Sequence, residues 1–119
     1  MVTGSYIPDE GDVIWIDFFP QSGHEQNGRR PGLVVTPRNY NKIGLAVILP
    51  ITNQKKGYPF EVTIPSIGVK TTGVVLADQL RNLDWQQRNA TFIENLPQSV
   101  VNEVKEKMAL LLGMEIISE

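Results

Sequence analysis

The sequence predicts a mainly β fold: a small, strongly bent sheet or partly closed β-barrel with one helix at the C-terminal end. Two observations lead to this prediction. Short runs rich in β-branched and aromatic residues alternate with turns that contain glycine or proline, and only the last segment changes to helical spacing. A length of 119 residues fits one domain, residues 1–119, with a single hydrophobic core.

Six segments have the composition of β-strands. The first, residues 12–19, is apolar on both alternating faces, as expected of a strand that is covered on both sides. The segment at 60–64 alternates with a period of two. Residues 39–42 and 83–85 are typical of turns. The predicted strands are residues 12–19, 32–36, 45–49, 60–64, 73–80 and 90–93.

The last segment predicts an amphipathic helix that packs on the sheet. Apolar residues from Val100 to Leu112 recur at positions that share one helical face. Pro97 suits the first turn, and Gly113 suits the residue after the end. The polar face is not basic, which argues against a helix lying on a membrane. The sequence has neither a signal peptide nor an apolar run of membrane-spanning length, so we expect a cytoplasmic protein without a membrane partner.

Charge is distributed unevenly along the chain, although the net charge is only −2. Residues 20–90 contain nine Lys and Arg against four Asp and Glu, whereas the rest contains two against nine. This pattern predicts a local anion-binding face. The absence of cysteine excludes disulfides and thiolate catalysis, and the single histidine argues against a zinc site. With neither a phosphate-binding glycine motif nor the acidic spacing of a two-metal site, we expect no metal and no cofactor.

Polar residues cluster after three of the predicted strands, at 23–30, 52–56 and 78–88. A bent sheet would bring such loops to one rim, and arginine there suits phosphate and the charge that develops on a phosphorane. Aromatic residues beside loops could stack on unpaired bases. The candidates are Arg30, Lys55, Lys56, Arg81 and Arg88 for phosphates; His24, Glu25, Thr52 and Asp78 for orientation or proton transfer; and Tyr40, Tyr58 and Trp85 for stacking.

Two functions remain open from these residues: metal-free cleavage of a phosphodiester, and binding without chemistry. RNA carries its own nucleophile in the 2′-hydroxyl, so an enzyme need only position it, assist its deprotonation and stabilise the phosphorane. For Trp15 and Phe18, on the first predicted strand, plain packing is the preferred interpretation.

Several short motifs occur in one order over nearly the whole chain. They are GDVIW (11–15), GHEQ (23–26), RP (30–31), VVTP (34–37), PIT (50–52), TGVV (72–75) and DQ (78–79). From about residue 11 to residue 113 this series resembles the MazF/PemK family, the toxins of bacterial toxin–antitoxin modules. The run at 56–62 is similar to the MazF branch, whereas 23–25 and 71–78 are similar to the PemK branch.

The resemblance implies a homodimer of SH3-like barrels of the MazF/PemK/CcdB type. Such a toxin cleaves single-stranded RNA, including mRNA, at short sequences without a metal, and it leaves a 2′,3′-cyclic phosphate and a 5′-hydroxyl. The implied partner is a cognate antitoxin of the MazE/PemI kind, and operator DNA would be bound only through that antitoxin.

Individual roles also follow from the resemblance. The family's central arginine falls on Arg30, its threonine on Thr52 and its loop acid on Glu25. His24 and Asp78 match positions that are catalytic in the PemK branch. That branch has an arginine two residues before the aspartate, where this chain has Leu76. The positions expected to bind RNA are Arg29, Asn41, Lys55, Lys56, Tyr58, Gln79, Arg81 and Arg88.

Two non-catalytic alternatives share the fold. One is a toxin that binds and poisons a protein target such as DNA gyrase, but those toxins depend on a C-terminal Trp-Gly-Ile, and this chain ends Ile-Ile-Ser-Glu. The other is an SH3-like module that binds peptides, a role that does not require the pairing of Arg30 with Thr52.

Overall fold

The described part of the chain, residues 5–18 and 28–115, forms an antiparallel sheet with two helices in a computed structural model. The strands are β1 (Asp12–Asp17), β2 (Arg29–Val34), β3 (Leu45–Thr52), β4 (Glu61–Thr63), β5 (Val74–Leu76), β6 (Arg81–Asp84) and β7 (Thr91–Asn95). A single-turn helix, α1 (Arg38–Asn41), precedes β3, and α2 (Gln98–Leu111) follows the last strand. Within these ranges no helix is long and apolar enough to cross a membrane.

Strand β3 is the centre of the sheet. The strands follow the order β4-β5-β3-β2-β1-β7, and β6 also pairs with β3. One edge of β3 pairs with β6 over residues 45–48 and with β5 at Ile51 and Thr52, so this strand changes partner along its length. Within the described residues, the end strands β4 and β7 do not pair with each other. The predicted mainly β fold with a C-terminal helix is confirmed, and its sheet is bent but not closed.

Two hydrophobic cores lie on opposite faces of this sheet, because successive residues of a strand point to opposite sides. The helix-side core, between the sheet and α2, includes Val13, Leu33, Leu49, Val62, Val75 and Val104. The far-side core includes Ile14, Ile16, Phe18, Val34, Ile48 and Trp85. Strands β1, β2 and β3 therefore contribute side chains to both cores, as the apolar pattern of residues 12–19 predicts for β1.

Helix α2 agrees closely with the pattern in the sequence. It begins after Pro97, and Val100 and Val104 are buried in the helix-side core. Gly113 has a φ of +69°, the left-handed conformation that favours glycine after a helix. The far end of the helix is different, because Leu110 and Leu112 are exposed there.

Two segments differ in type from the prediction, and two strands differ in extent: β2 is Arg29–Val34 where 32–36 was predicted, and β5 is only Val74–Leu76 where 73–80 was predicted. Residues 38–41 form helix α1 where a turn was expected, and residues 81–84 form strand β6 where a turn was expected at 83–85. Asn82 and Asp84 have low strand propensity, but pairing with β3 and burial of Leu83 override it. Phe18 is fully buried, as expected, whereas the prediction of plain packing is wrong for Trp15, which is 42% exposed.

Candidate active site

The register of β2 against β3 brings Arg30 and Thr52 together. Gly32 pairs with Pro50 in this antiparallel ladder, so the next positions on the same face are Arg30 and Thr52. A Cβ on Gly32 would lie 2.6 Å from Cγ2 of Ile48, in the far-side core. Arg30 and Thr52 therefore point to the far side of the sheet, beyond the end of that core, and they line one cavity of about 330 Å³.

This cavity, called the groove below, is built from strands β2 to β5 and two connecting segments. Glu61 of β4 pairs with Leu76 of β5, and Thr52 pairs with Val74. Residues 53–60 connect β3 to β4 and supply three of the lining residues, and Gln79 comes from the connection between β5 and β6. The residues that line the groove are Arg30, Thr52, Gln54, Lys56, Tyr58, Glu61, Leu76 and Gln79.

The loop of residues 53–60 is attached to its surroundings by polar contacts. Both carboxylate oxygens of Glu61 accept backbone amide hydrogens, from Lys56 at 2.9 Å and from Gly57 at 3.0 Å. Gly57 has a φ of +79°, which a residue with a side chain rarely adopts. Lys107 of α2 donates to the carbonyl of Pro59 at 2.6 Å. The loop is therefore held both from the groove and from the helix.

Tyr58 and Asp78 form a hydrogen-bonded pair at the groove wall. The Tyr58 hydroxyl donates to Oδ2 of Asp78 at 2.8 Å, while Oδ1 of Asp78 is buried with no hydrogen-bond partner among the described residues. This hydrogen bond and the carboxylate's negative charge raise the pKa of Tyr58 above its ordinary value of 10.0. Its ring is 49% exposed and offers a face on which a base can stack.

Thr52 is fixed by the backbone around it. Its Oγ1 accepts the amide hydrogen of Gln54 at 3.1 Å, which leaves the hydroxyl proton available for donation. Gly73, just before β5, has a φ of +113°, and a Cβ there would lie 2.3 Å from the carbonyl oxygen of Thr52. Only glycine allows this close approach, which keeps Thr52 at the groove.

Arg29 lies on the opposite face of β2 from Arg30. It forms an ion pair with Asp17 at 3.0 Å, and its other terminal nitrogen donates to the carbonyl of Asn89 at 2.9 Å and to Thr91 at 3.4 Å. A hydrogen bond from Asn89 is the main cause that lowers the pKa of Asp17, and Arg29 adds to it. Arg29 therefore joins β1, β2 and the start of β7 and does not line the groove.

A family model described as PemK-like, MazF-like toxin of type II toxin-antitoxin system matches residues 9–112. The chain belongs to this family. It is 43% identical over 109 residues to the endoribonuclease toxin MazF of Escherichia coli K12, covering 91% of this chain and 96% of that protein. A crystal structure of MazF from Deinococcus radiodurans is 50% identical, with a TM-score of 0.84 over 92% of this chain and 100% of the other. A crystal structure of a MazE-MazF complex from the same organism is 44% identical, with a TM-score of 0.82 over 93% of this chain and 100% of the other.

In this member of the PemK/MazF family, two further arginines lie outside the groove lining. Arg88 donates to the carbonyls of Phe18 at 2.6 Å and Asp17 at 3.2 Å, and Arg81 donates to the carbonyl of Phe18 at 3.3 Å. Both therefore hold the end of β1. Lys55 donates to Thr63 at 3.3 Å and lines a neighbouring cavity of about 290 Å³.

The position of Asn41 contradicts its assignment to RNA binding. Its side chain is fully buried, accepts a hydrogen bond from the Thr36 hydroxyl at 2.6 Å, and donates to the carbonyls of Pro8 and Thr36. The carbonyl of Asn41 also accepts from the indole of Trp85, which is buried in the far-side core and unavailable for stacking on bases. Asn41 thus ties the N-terminal segment to α1, and its role here is structural.

Two of the expected site residues lie outside the described residues, and two polar residues that line the groove were not predicted. His24 and Glu25 fall outside residues 5–18 and 28–115. Within those ranges no group of three or more His, Cys, Asp or Glu is placed to hold a metal ion. Glu61 and Gln54 line the groove but were absent from the candidate set. The alternation of residues 60–64 could have indicated Glu61, since it points away from the buried Val62.

Proposed function

We propose that this family member is an endoribonuclease toxin that cleaves single-stranded RNA at short sequences, without a metal. The observation that carries this proposal is the convergence of Arg30 and Thr52 on one groove, beside Lys56 and Tyr58. The relative in Escherichia coli is named an endoribonuclease toxin, which favours cleavage over the alternative of poisoning a protein target.

The nucleophile in this mechanism comes from the substrate. The 2′-oxygen forms a bond to phosphorus, its proton passes to a base, and the bond from phosphorus to the 5′-oxygen breaks as that oxygen gains a proton. Arg30 donates hydrogen bonds to the phosphorane oxygens, and the Thr52 hydroxyl donates to the same group. The products are a 2′,3′-cyclic phosphate and a 5′-hydroxyl.

A carboxylate is the proton acceptor in this mechanism. Glu25 holds that role by family resemblance, with His24 beside it in the chain. Asp78 is the second candidate, because the hydroxyl of Tyr58, a residue that lines the groove, donates to its Oδ2 at 2.8 Å.

The rest of the groove binds the RNA strand in this proposal. Lys56 attracts phosphate, the exposed ring of Tyr58 stacks on a base, and the amide of Gln79 reads a base edge. Lys55 extends the positive charge into the neighbouring cavity. Arg81 and Arg88 contribute positive electrostatic potential at the end of β1, whereas Arg29 faces away from the groove.

The test is a series of fluorescent RNA oligonucleotides with one deoxyribose at a time, incubated with the protein in excess EDTA. We expect one position where deoxyribose stops cleavage but leaves binding nearly intact, because the phosphates and bases are still present. Cleavage in EDTA should be unchanged, and mass spectrometry should identify cyclic phosphate ends. Cleavage of every deoxy substrate, or products with 5′-phosphates, would show that water attacks instead.

The partners proposed for this protein are a second copy of the chain and an antitoxin. Leu110, Leu112 and Met114 form an exposed apolar surface at the end of α2 that a homodimer would cover. The crystal structure of a MazE-MazF complex supports an antitoxin of the same kind. Any binding of operator DNA would occur only through that antitoxin. A cytoplasmic location fits these partners. Sedimentation should give a mass near twice 13.3 kDa. Binding of an acidic antitoxin peptide should weaken with salt, and excess single-stranded RNA should compete with that peptide.

A further inference from the structure

Glu61 is the only acid among the residues that line the groove within the described structure, and its carboxylate points at backbone rather than into open space. Oε2 accepts the amide hydrogen of Lys56, and Oε1 accepts that of Gly57. Its own amide donates to the carbonyl of Tyr58 at 3.0 Å, which closes the loop of residues 53–60 onto the start of β4. Glu61 therefore contacts three consecutive loop residues.

These contacts decide where the side chains of the loop point. The two amide hydrogens at Lys56 and Gly57 would otherwise bond only to water, and the turn has a conformation that requires glycine. A short exposed loop with only solvent partners samples many conformations, and ordering each of its residues has a cost in backbone entropy. Charge-assisted hydrogen bonds to one carboxylate offset part of that cost before any ligand arrives.

We propose that Glu61 is a positioning residue for RNA, which fixes the turn at Lys56 and Gly57 so that Lys56 and Tyr58 stand beside Arg30 and Thr52. The inference rests on the proposed function, because it assigns this turn to substrate binding. Glu61 is assigned to the turn and not to the reacting atoms, because each of its oxygens accepts a hydrogen bond from a backbone amide of the loop. Pre-ordering the loop lowers the cost of binding without changing the chemical step.

The same chain contains a matched control. Glu94 on β7 also accepts two consecutive amide hydrogens, from Lys70 at 2.9 Å and Thr71 at 2.7 Å, and it lies outside the groove lining. Replacing either glutamate with glutamine keeps the shape of the side chain but leaves one oxygen to accept hydrogen bonds and introduces an amide nitrogen that cannot. Glu94 also accepts the Thr71 hydroxyl at 2.6 Å, so Glu94→Gln disturbs at least as many hydrogen bonds as Glu61→Gln, at a place outside the groove lining.

The experiment compares wild type, Glu61→Gln and Glu94→Gln in steady-state RNA cleavage, and in amide hydrogen exchange measured without RNA. We expect Glu61→Gln to raise KM about five- to tenfold with kcat changed less than about twofold, as for the loss of one hydrogen bond that orders a binding loop. Exchange should accelerate at Lys56 and Gly57 in that variant, and at Lys70 and Thr71 in Glu94→Gln, whose cleavage kinetics should match wild type.

A double variant tests the route of the effect. If Glu61 acts in part through Lys56, then Glu61→Gln should raise KM by a smaller factor in a Lys56→Met protein than in wild type, whereas independent effects would multiply. Faster exchange at Lys56 with unchanged KM would overturn the inference and leave the proposed function intact, as would a fall in kcat alone, which indicates a direct catalytic role. A wild-type protein that does not cleave RNA would refute the proposed function and this inference together, whatever the exchange rates.

Discussion

Arg29 and Arg30 are neighbours in the chain, yet they belong to two different polar regions of the molecule. Arg30 lines the groove with Thr52 and Glu61. Arg29 lies at the edge formed by β1 and β7, where its donors bond to Asp17, to the carbonyl of Asn89 and to Thr91. Each region also has a glutamate that accepts two consecutive amide hydrogens.

The difference between the groove and the β1–β7 edge lies in what the polar groups face. At the edge, arginine and carboxylates are directed at other parts of the same chain. Burial tends to raise the pKa of Glu94, but hydrogen bonds from Thr71 and from the amide of Lys70 outweigh it and lower that pKa below 4.5. In the groove, Arg30, Thr52 and Lys56 surround an open cavity. We infer that similar residue types stabilise the fold in one region and serve a substrate in the other.

The sharpest contrast should come from replacing each arginine with alanine. Losing one preorganised donor to a transition state commonly costs about 10²–10³ in rate, so Arg30→Ala should lose about that much RNA cleavage while remaining folded. Arg29→Ala should cleave within about threefold of wild type but unfold at a lower temperature, because surface ion pairs contribute up to about 1 kcal/mol. Single-turnover cleavage and calorimetry measure both quantities. Equal loss of cleavage in the two variants would mean that the two regions are not distinct in function.

Thr52 provides the second test of the groove. Thr52→Val keeps the shape of the side chain and removes the hydroxyl, so we expect cleavage to fall about tenfold to a hundredfold, the cost of about 1–3 kcal/mol for a lost hydrogen bond to a charged group. Thr52→Ser should retain most of the activity, because it keeps the donor. The corresponding replacement at the edge, Thr91→Val, should leave the cleavage rate unchanged. A fully active Thr52→Val protein would remove this hydroxyl from the mechanism.

A smaller effect is expected from Tyr58→Phe. The variant keeps the exposed ring for stacking and loses the hydrogen bond to Asp78, so the binding of a deoxy-substituted, uncleavable RNA should weaken about two- to tenfold. Fluorescence anisotropy measures this change. Tyr58→Ala should bind more weakly still, because stacking on a base contributes about 1–3 kcal/mol. Identical affinities for the two variants would show that the ring does not contact RNA.

The smallest effect concerns stability at the edge. The pKa of Asp17 is lowered from 3.8 by hydrogen bonds from Asn89 and Arg29, so its carboxylate stabilises the fold above pH 3.8, and that contribution disappears as the pH falls through the lowered value. Asp17→Asn should therefore reduce the free energy of unfolding at pH 7 by less than about 1 kcal/mol. In denaturant titrations, the difference in unfolding free energy between wild type and Asp17→Asn should become smaller below pH 3.8, and cleavage at pH 7 should be unaffected. A difference that grows in acid would contradict the lowered pKa of Asp17.

The sequence was informative where local pattern and structure coincide. The two-sided apolar pattern of β1, the helical spacing of α2 and the left-handed Gly113 are all local signals, and each is confirmed. The family resemblance predicted Arg30 and Thr52, and the register explains why they meet. Family motifs could locate these two residues without any knowledge of the register.

Other features depend on contacts that no local pattern contains. Strand β6 exists because β3 pairs with it, against the propensity of Asn82 and Asp84. Asparagine is a residue type typical of turns, but tertiary packing buries Asn41. The separation of Arg29 from Arg30 depends on the face of β2 to which each residue points. Arg30 is two residues from Gly32 and shares its face, whereas Arg29 is three residues away and lies on the other face.

The central strand β3 makes the active groove intolerant of small errors in alignment. Its first half pairs with β6 beside the far-side core, and its last two residues carry Thr52 to the groove. Deleting one residue between Leu45 and Thr52 would exchange helix-side and far-side positions along the rest of the strand. Ile51 would then face the groove, and Thr52 would face the helix. We expect a register shift of this kind to abolish activity and not merely to reduce it, because folding of the core and assembly of the groove depend on the same eight residues.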